Sequence, residues 1–86
     1  MPHRTLRPTA THGYCGEFRV ETMEVQEPGE PKWFSNAYVY HRDRPHPIAT
    51  IEGAGEGVDR SDAREQALRI GCAFATSLDP RTWRLA

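Results

Sequence analysis

The chain has 86 residues, 37% of them hydrophobic, and a formal net charge of −1. This length allows one domain with a modest core, about what a single helix on a small sheet requires. A charge near zero argues against a protein built around nucleic-acid backbone, which usually carries a basic stripe, and no apolar stretch approaches the length of a membrane span.

The N-terminal segment has the composition of an unstructured arm. Residues 1–12 include Arg4 and Arg7 but no acidic residue and almost nothing apolar. We therefore predict an arm over residues 1–13 and one domain over residues 14–86. The segment lacks the apolar run of a signal peptide, so a cytoplasmic location is expected.

The chain contains two cysteines, Cys15 and Cys72. Two are too few for a disulfide scaffold, and a reducing compartment would keep them as thiols. We expect two small, partly buried thiols rather than a bridge.

The first predicted strand contains two apolar pairs of opposite parity. Phe18 and Val20 alternate with charged residues, as in a strand with one solvated face. Met23 and Val25 fall on the other parity. A β-bulge near Thr22 would return all four side chains to one face, so a bulge is predicted there.

Two further strands follow, separated by loops rich in proline and glycine at residues 27–31 and 42–47. The strand over residues 33–41 is rich in aromatic and β-branched residues, and the next covers residues 48–52. With the helix that follows, the order is β-β-β-α. We predict an α+β fold, a three-stranded antiparallel meander with one main helix packed on one face.

A glycine-rich segment, residues 53–57, is predicted to form a turn before the helix. A turn of this kind resembles a phosphate-binding loop, but it lacks the spacing of nucleotide-binding motifs and no lysine follows. Four carboxylates near the helix start would repel a phosphate: Glu52, Glu56, Asp59 and Asp62. The segment is therefore interpreted as structural, with Asp59 as the helix N-cap.

The helix is predicted to bury residues spaced along one face: Ala63, Ala67, Ile70, Gly71, Phe74 and Leu78. Three of them are small and would let the helix approach the sheet closely. This use would explain Gly71, since a mid-helix glycine costs roughly 1 kcal/mol relative to alanine. Val58 is positioned to pack on Ala63 as a hydrophobic staple.

The residue before a proline is disfavoured in the α region, so Asp79 and Pro80 are expected to end the helix. A short second helical turn can follow, folding Trp83 and Leu85 back over the core. The alternative is a mobile tail that presents Trp83 to a partner.

No residues show catalytic or metal-binding spacing. A metal site built from His12, Cys15, and His41 or His46 would need a fourth ligand. Cys15 has no apparent oxyanion donor or orienting group that would make it a nucleophile. The acids of the first strand are expected to be surface charges: Glu17, Glu21 and Glu24. The sequence predicts no enzyme, no cofactor and no metal.

The predicted functional feature is an aromatic face. If Ala37 and Val39 lie beneath the helix, the alternate residues of their strand point away from it. With the C-terminal tryptophan, these residues form the possible interaction face: Phe34, Tyr38, Tyr40 and Trp83. Such a face favours contact with a protein partner or a second copy. Interleaved with Arg19 or Arg42 it could instead stack bases, and the third alternative is that its rings only cover a two-sided sheet.

The meander and the helix opening resemble the C-terminal part of a double-stranded-RNA-binding domain. The matching residues are a glycine-rich segment and the small and basic residues of the helix: Gly55, Gly57, Ala63, Arg64 and Ala67. That family has a lysine pair at the helix start, where this chain has Arg60 and Ser61 followed by Asp62, and the family's first helix has no counterpart. The resemblance covers residues 14–78 as architecture and does not imply RNA binding.

The same β-β-β-α order is similar to the partial version of that fold in HicB-type antitoxins, where the helix also opens with acidic and small residues such as Asp59 and Ala63. It is also similar to small uncharacterised bacterial proteins that consist of this unit alone. The sequence thus predicts a non-enzymatic protein-interaction module. The alternatives are nucleic-acid binding through the aromatic face and a HicB-like antitoxin-type regulator.

Overall fold

The computed structural model describes residues 12–41, 44–78 and 81, with only the backbone of residues 12–15. The elements in chain order are β1 (His12–Cys15), β2 (Phe18–Gln26), β3 (Trp33–His41), β4 (Ala49–Gly57) and α1 (Arg60–Thr76). The four strands form one antiparallel sheet in the order β1-β2-β3-β4. The predicted α+β meander with one helix is confirmed. The short strand β1 is an addition, and the arm boundary predicted at residue 13 falls inside it.

β2 pairs with β3 in one register along its whole length, so the bulge predicted near Thr22 is wrong. The strand keeps strict alternation, and Thr22 and Glu24 continue the buried row begun by the apolar residues. Their exposed fractions are 0% and 1%. Met23 and Val25 therefore stay on the opposite face. The row accepts polar side chains at this end because Ser35 of β3 hydrogen-bonds to Glu24.

The glycine-rich segment predicted as a turn is instead the second half of β4. The β3–β4 register shifts between Ser35 and Ala37, which places residues 52–54 opposite Asn36. At this β-bulge Gly53 has φ of +64°, a conformation that glycine adopts without steric cost, and its N–H donates to Asn36 Oδ1 at 2.9 Å. The bulge of this sheet is in β4.

Small residues on both surfaces let α1 lie close to the sheet. The buried helix residues recur every fourth position: Ala63, Ala67, Gly71 and Ala75. A Cβ added to Gly55 would overlap the Ala63 carbonyl oxygen and lie 2.7 Å from the Ala67 nitrogen. A Cβ on Gly71 would lie 2.7 Å from Val20 Cγ1. The predicted use of small residues for close approach is confirmed, and it extends to a glycine of β4.

Other helix predictions need correction. Ile70 is 43% exposed and Phe74 is only partly buried, because the contact follows the single row of every fourth residue. Val58 is 83% exposed and does not form the predicted staple. The N-cap is confirmed, since the Asp62 N–H donates to Asp59 Oδ1 at 2.9 Å.

The apolar core lies between α1 and the sheet and consists of Phe18, Val20, Ala37, Val39, Ala67, Ala75 and Leu78. Cys72 packs against this core and is disulfide-bonded, which corrects the expectation of thiols. Cys15, the other cysteine of the chain, belongs to β1, and β1 lies against α1.

Three predictions fall outside the described residues: most of the N-terminal arm, the helical turn after Pro80, and the position of Trp83. Within the part of the chain that is described, no helix has the length and apolarity needed to cross a lipid bilayer.

Candidate functional site on the open sheet face

The face of the sheet opposite α1, called the open face, carries side chains from three strands. Alternation along β2 and β3 places these residues on it: Arg19, Glu21, Met23, Val25, Phe34, Asn36, Tyr38 and Tyr40. Thr50 and Glu56 join them from β4, opposite Tyr38 and Phe34. No helix or strand of the described chain lies over the open face, whereas α1 covers the other one.

The structure places Phe34, Tyr38 and Tyr40 on this face, because Ala37 and Val39 are fully buried on the side of α1. Phe34 and Tyr38 are partly buried, and Tyr40 is 9% exposed. The three rings are therefore not equivalent. Only Phe34 and Tyr38 keep appreciable surface for a partner.

Tyr40 belongs to a closed cluster at one end of the open face. The guanidinium carbon of Arg19 lies 4.3 Å from the Tyr40 ring centroid, and Arg19 Nε donates to Glu21 Oε2 at 2.8 Å. Burial and then the Glu21 carboxylate raise the pKa of Tyr40, while Arg19 acts in the opposite direction. The cation covers the ring, so this end of the face has little room for a stacked ligand.

The opposite end of the open face is concave. A shallow depression of about 270 Å³, called the bulge depression, is lined by Val25, Glu27, Phe34, Asn36, Glu52 and Gly53. It lies beside the β4 bulge, where the Asn36 side chain binds the Gly53 backbone. The depression has apolar side chains from β2 and β3, and its two carboxylates are exposed.

Lys32 is placed beside this depression. Its Nζ lies 3.0 Å from Glu56 Oε1 and 6.0 Å from the Phe34 ring centroid. Among the described residues of this face, the two cations, Lys32 and Arg19, are thus each paired with a carboxylate. Such pairing reduces the positive potential that a nucleic-acid backbone would need.

The covered face contains a charged residue that sequence analysis placed on the surface. Glu24 is buried, and its Oε2 accepts a hydrogen bond from Ser35 Oγ at 2.9 Å. Its Oε1 has no hydrogen-bond partner, and Arg60 Nε lies 3.8 Å from it. The signal for this burial is in the sequence, because Glu24 has the same parity as Phe18 and Val20.

The predicted histidine and cysteine candidates have structural roles where they are described. The His41 ring packs edge-on against Phe18 at 5.9 Å, and its Nε2 lies 3.8 Å from Glu17 Oε1. His46 lies in the β3–β4 loop, and Cys72 is disulfide-bonded. No three His, Cys, Asp or Glu side chains within the described ranges are close enough to hold a metal ion.

Sequence reasoning missed Met23 and Val25 on the open face and Gly53 in the lining of the bulge depression. The parity of Met23 and Val25 in the sequence indicates that they lie on the face opposite Phe18 and Val20, without any bulge. The bulge at Gly53 has no comparable signal, because a glycine-rich stretch before a helix is equally typical of a turn.

Comparison with known proteins adds no assignment to this geometry. The chain matches no protein-family model, no curated protein and no solved structure. The function is therefore inferred from the site itself.

Proposed function

We propose that this protein is a non-enzymatic protein-interaction module that binds its partner through the open face. One observation carries the proposal: the sheet is covered by α1 on one side, and on the other β2 and β3 present partly buried apolar side chains, Met23, Val25, Phe34 and Tyr38. Uncovered apolar surface rimmed by polar groups is typical of interaction sites, and tyrosine, phenylalanine and methionine are enriched in them.

The energetics point the same way. The close packing that holds the fold together is made on the covered face, between the small residues of α1 and the sheet. No helix or strand of the described chain packs over the apolar side chains of the open face. Each gains further burial energy when a partner removes its remaining surface from water, at about 25 cal/mol per Å². Binding therefore supplies the burial that the folded chain leaves incomplete.

Nucleic acid fits this surface less well than protein does. Arg19 covers Tyr40, the most buried ring of the face, and its charge is paired with Glu21. Base-stacking surfaces combine exposed rings with a positively charged groove. Lys32 is paired with Glu56 in the same way, so among the described residues of the face neither cation is left to form a positively charged groove.

A photo-crosslinking experiment tests the proposal. Replacing Tyr38 with p-benzoylphenylalanine puts a crosslinker on the open face, with a benzoyl group in place of the tyrosine hydroxyl. The matched control carries the same residue at Glu65, which is exposed on α1. We expect irradiation in cells to give a discrete adduct from position 38 only. The proposal is wrong if position 38 gives no adduct, or the same adducts as position 65.

The mass of the adduct separates the two kinds of protein partner, because a second copy doubles the mass of the chain. A gel-shift assay with single-stranded and duplex RNA at low salt tests the alternative function. We expect no shift. A shift abolished by Tyr38→Ala would support nucleic-acid binding through the open face instead.

A cytoplasmic location stays a prediction from the sequence alone. The disulfide at Cys72 weighs against it, because cytosolic thiols are kept reduced. Alkylation of thiols in intact cells, followed by mass measurement, decides the matter. Protein isolated with both cysteines alkylated was reduced in the cell, as a cytoplasmic location requires.

A further inference from the structure

We propose that the bulge depression binds a cationic side chain, an arginine or a lysine, from a basic segment of the partner protein. The inference rests on the proposed function, because it names the chemistry that one end of the open face binds. It is carried by the shape, the polarity and the charge of the depression together.

The depression combines an apolar surface with two carboxylates. Val25 and Phe34 are partly buried, while Glu27 and Glu52 are exposed. Neither Glu27 nor Glu52 makes a side-chain hydrogen bond or an ion pair with another residue in the part of the chain that the structure describes. Long cationic side chains lay their methylene groups on apolar surface and keep the charged group at its edge. This depression matches such a side chain along its length.

Lys32 already places a cation beside an aromatic ring and a carboxylate within the chain. Its ammonium group lies 6.0 Å from the Phe34 ring centroid and 3.0 Å from Glu56 Oε1. A cation beside an aromatic ring is attracted by the ring and, here, by a carboxylate as well. An incoming guanidinium can repeat this arrangement at Glu27 and Glu52, with two donors for each carboxylate.

A second depression in the molecule shows that this preference is local. It also has a volume of about 270 Å³ and is lined by residues 44–48 of the β3–β4 loop. Among its described lining residues are Arg44 and His46 and no carboxylate. The end of the open face around the bulge depression has three carboxylates, Glu27, Glu52 and Glu56, against one ammonium. The described charges therefore favour a cation at the bulge depression over the loop depression.

The size of the face favours a segment of another protein over a second copy. Three strands of nine residues span roughly 30 Å by 14 Å, or about 400 Å². Stable complexes bury about 800 Å² on each partner, so a dimer through this face alone would be undersized. A single helix or extended segment, by contrast, is narrow enough for the face to hold all of one side of it.

The test is a chemical-shift titration of the isotopically labelled full chain with three soluble peptides. The peptides share a Gly-Ser frame and differ in a central Leu-Arg-Leu, Leu-citrulline-Leu or Leu-Glu-Leu. Citrulline keeps the shape of arginine without its charge. We expect only the arginine peptide to shift amide resonances around the bulge depression, at Val25, Phe34, Asn36 and Gly53. Higher salt should weaken the binding of this peptide.

Three charge-matched variants localise the effect. Glu27→Gln and Glu52→Gln should each weaken the arginine peptide roughly 1.5- to 5-fold, as expected for an exposed ion pair. Glu65→Gln removes the same charge from α1 and should leave the affinity unchanged. The inference is overturned if the citrulline peptide binds equally well, if Glu65→Gln weakens binding as much as Glu52→Gln, or if millimolar arginine peptide shifts no amide of the depression.

Self-association of the chain that is lost in Glu52→Gln would also overturn it, because the cation would then come from a second copy. Failure of the peptide test does not decide the proposed function. If crosslinking through position 38 still gives an adduct, the open face binds a protein and only the basic character of that protein is wrong.

Discussion

On the covered face, a Cβ added to Gly55 would overlap the carbonyl oxygen of Ala63, whereas on the open face Phe34 and Tyr38 have no helix or strand of the described chain packed over them. The two faces share the same strands and differ in how much side-chain volume they tolerate. The first has no room for a methyl group, so it fixes the distance between helix and sheet. The second can change its side chains without moving the backbone, and this freedom suits a binding surface.

The substitution with the largest expected effect on stability disrupts the packing of the covered face. Gly55→Val places a branched side chain against the backbone of α1, which cannot move without leaving the sheet. We expect a loss of unfolding free energy above about 4 kcal/mol, or no folded protein. Tyr38→Ala removes a much larger volume from the open face and should cost about 1 kcal/mol or less. Urea unfolding compares the two, and the distinction fails if Tyr38→Ala is the more damaging change.

A second prediction concerns the polar end of the covered face. Ser35→Ala removes the hydrogen bond to Glu24 and leaves a buried carboxylate without its donor, at an expected cost of about 1–3 kcal/mol. Adding Glu24→Leu removes the orphaned charge as well. The double variant should recover most of the loss, because replacing both partners of a buried polar pair is often neutral. Urea midpoints test this, and a double variant less stable than Ser35→Ala would contradict it.

The smallest expected effect on stability involves Tyr40 on the open face and appears only at alkaline pH. Because the pKa of Tyr40 is raised, the folded protein holds this proton more tightly than the unfolded chain does. The corresponding stabilisation is fully present below the unfolded tyrosine pKa of about 10 and is lost as pH rises through the folded value. Urea unfolding at increasing alkaline pH should show this decline.

The Tyr40→Phe variant isolates the source of that alkaline decline. Phenylalanine keeps the ring beneath Arg19 but has no proton to lose, so the variant should show a shallower fall of stability with pH. Absorbance titration of the native wild-type protein should also show one tyrosine ionising later than in urea. Equal pH slopes for wild type and variant would contradict the assignment.

The order of the elements could be predicted because each depends on local patterns. The strand over Trp33–His41, the N-cap at Asp59 and the small helix residues all follow from composition or short-range spacing. The one-sided meander then follows from the length of the chain. These predictions needed no knowledge of which side chains meet across the sheet.

Several of the errors concern contacts between distant parts of the chain. The bulge predicted near Thr22 depends on the assumption that Glu24 is a surface charge. Glu24 is instead buried, and Ser35 of the neighbouring strand donates a hydrogen bond to its carboxylate. Residues 53–57 are predicted as a turn because the close approach of Gly55 and Gly57 to α1 cannot be seen in the sequence. The bulge depression, built from three strands and a loop, could not be predicted for the same reason.

Because Cys72 is disulfide-bonded, the stability of this protein depends on the redox conditions around it. A native disulfide typically contributes 2–4 kcal/mol to the free energy of unfolding, roughly half the stability of a small domain. The oxidised and reduced chains therefore differ in stability as much as a protein and a strongly destabilised variant. A reductant strong enough to break this bond therefore lowers the stability of the fold. The redox buffer decides which of two covalent forms is purified, and each stability or affinity measured for this sequence belongs to one of them.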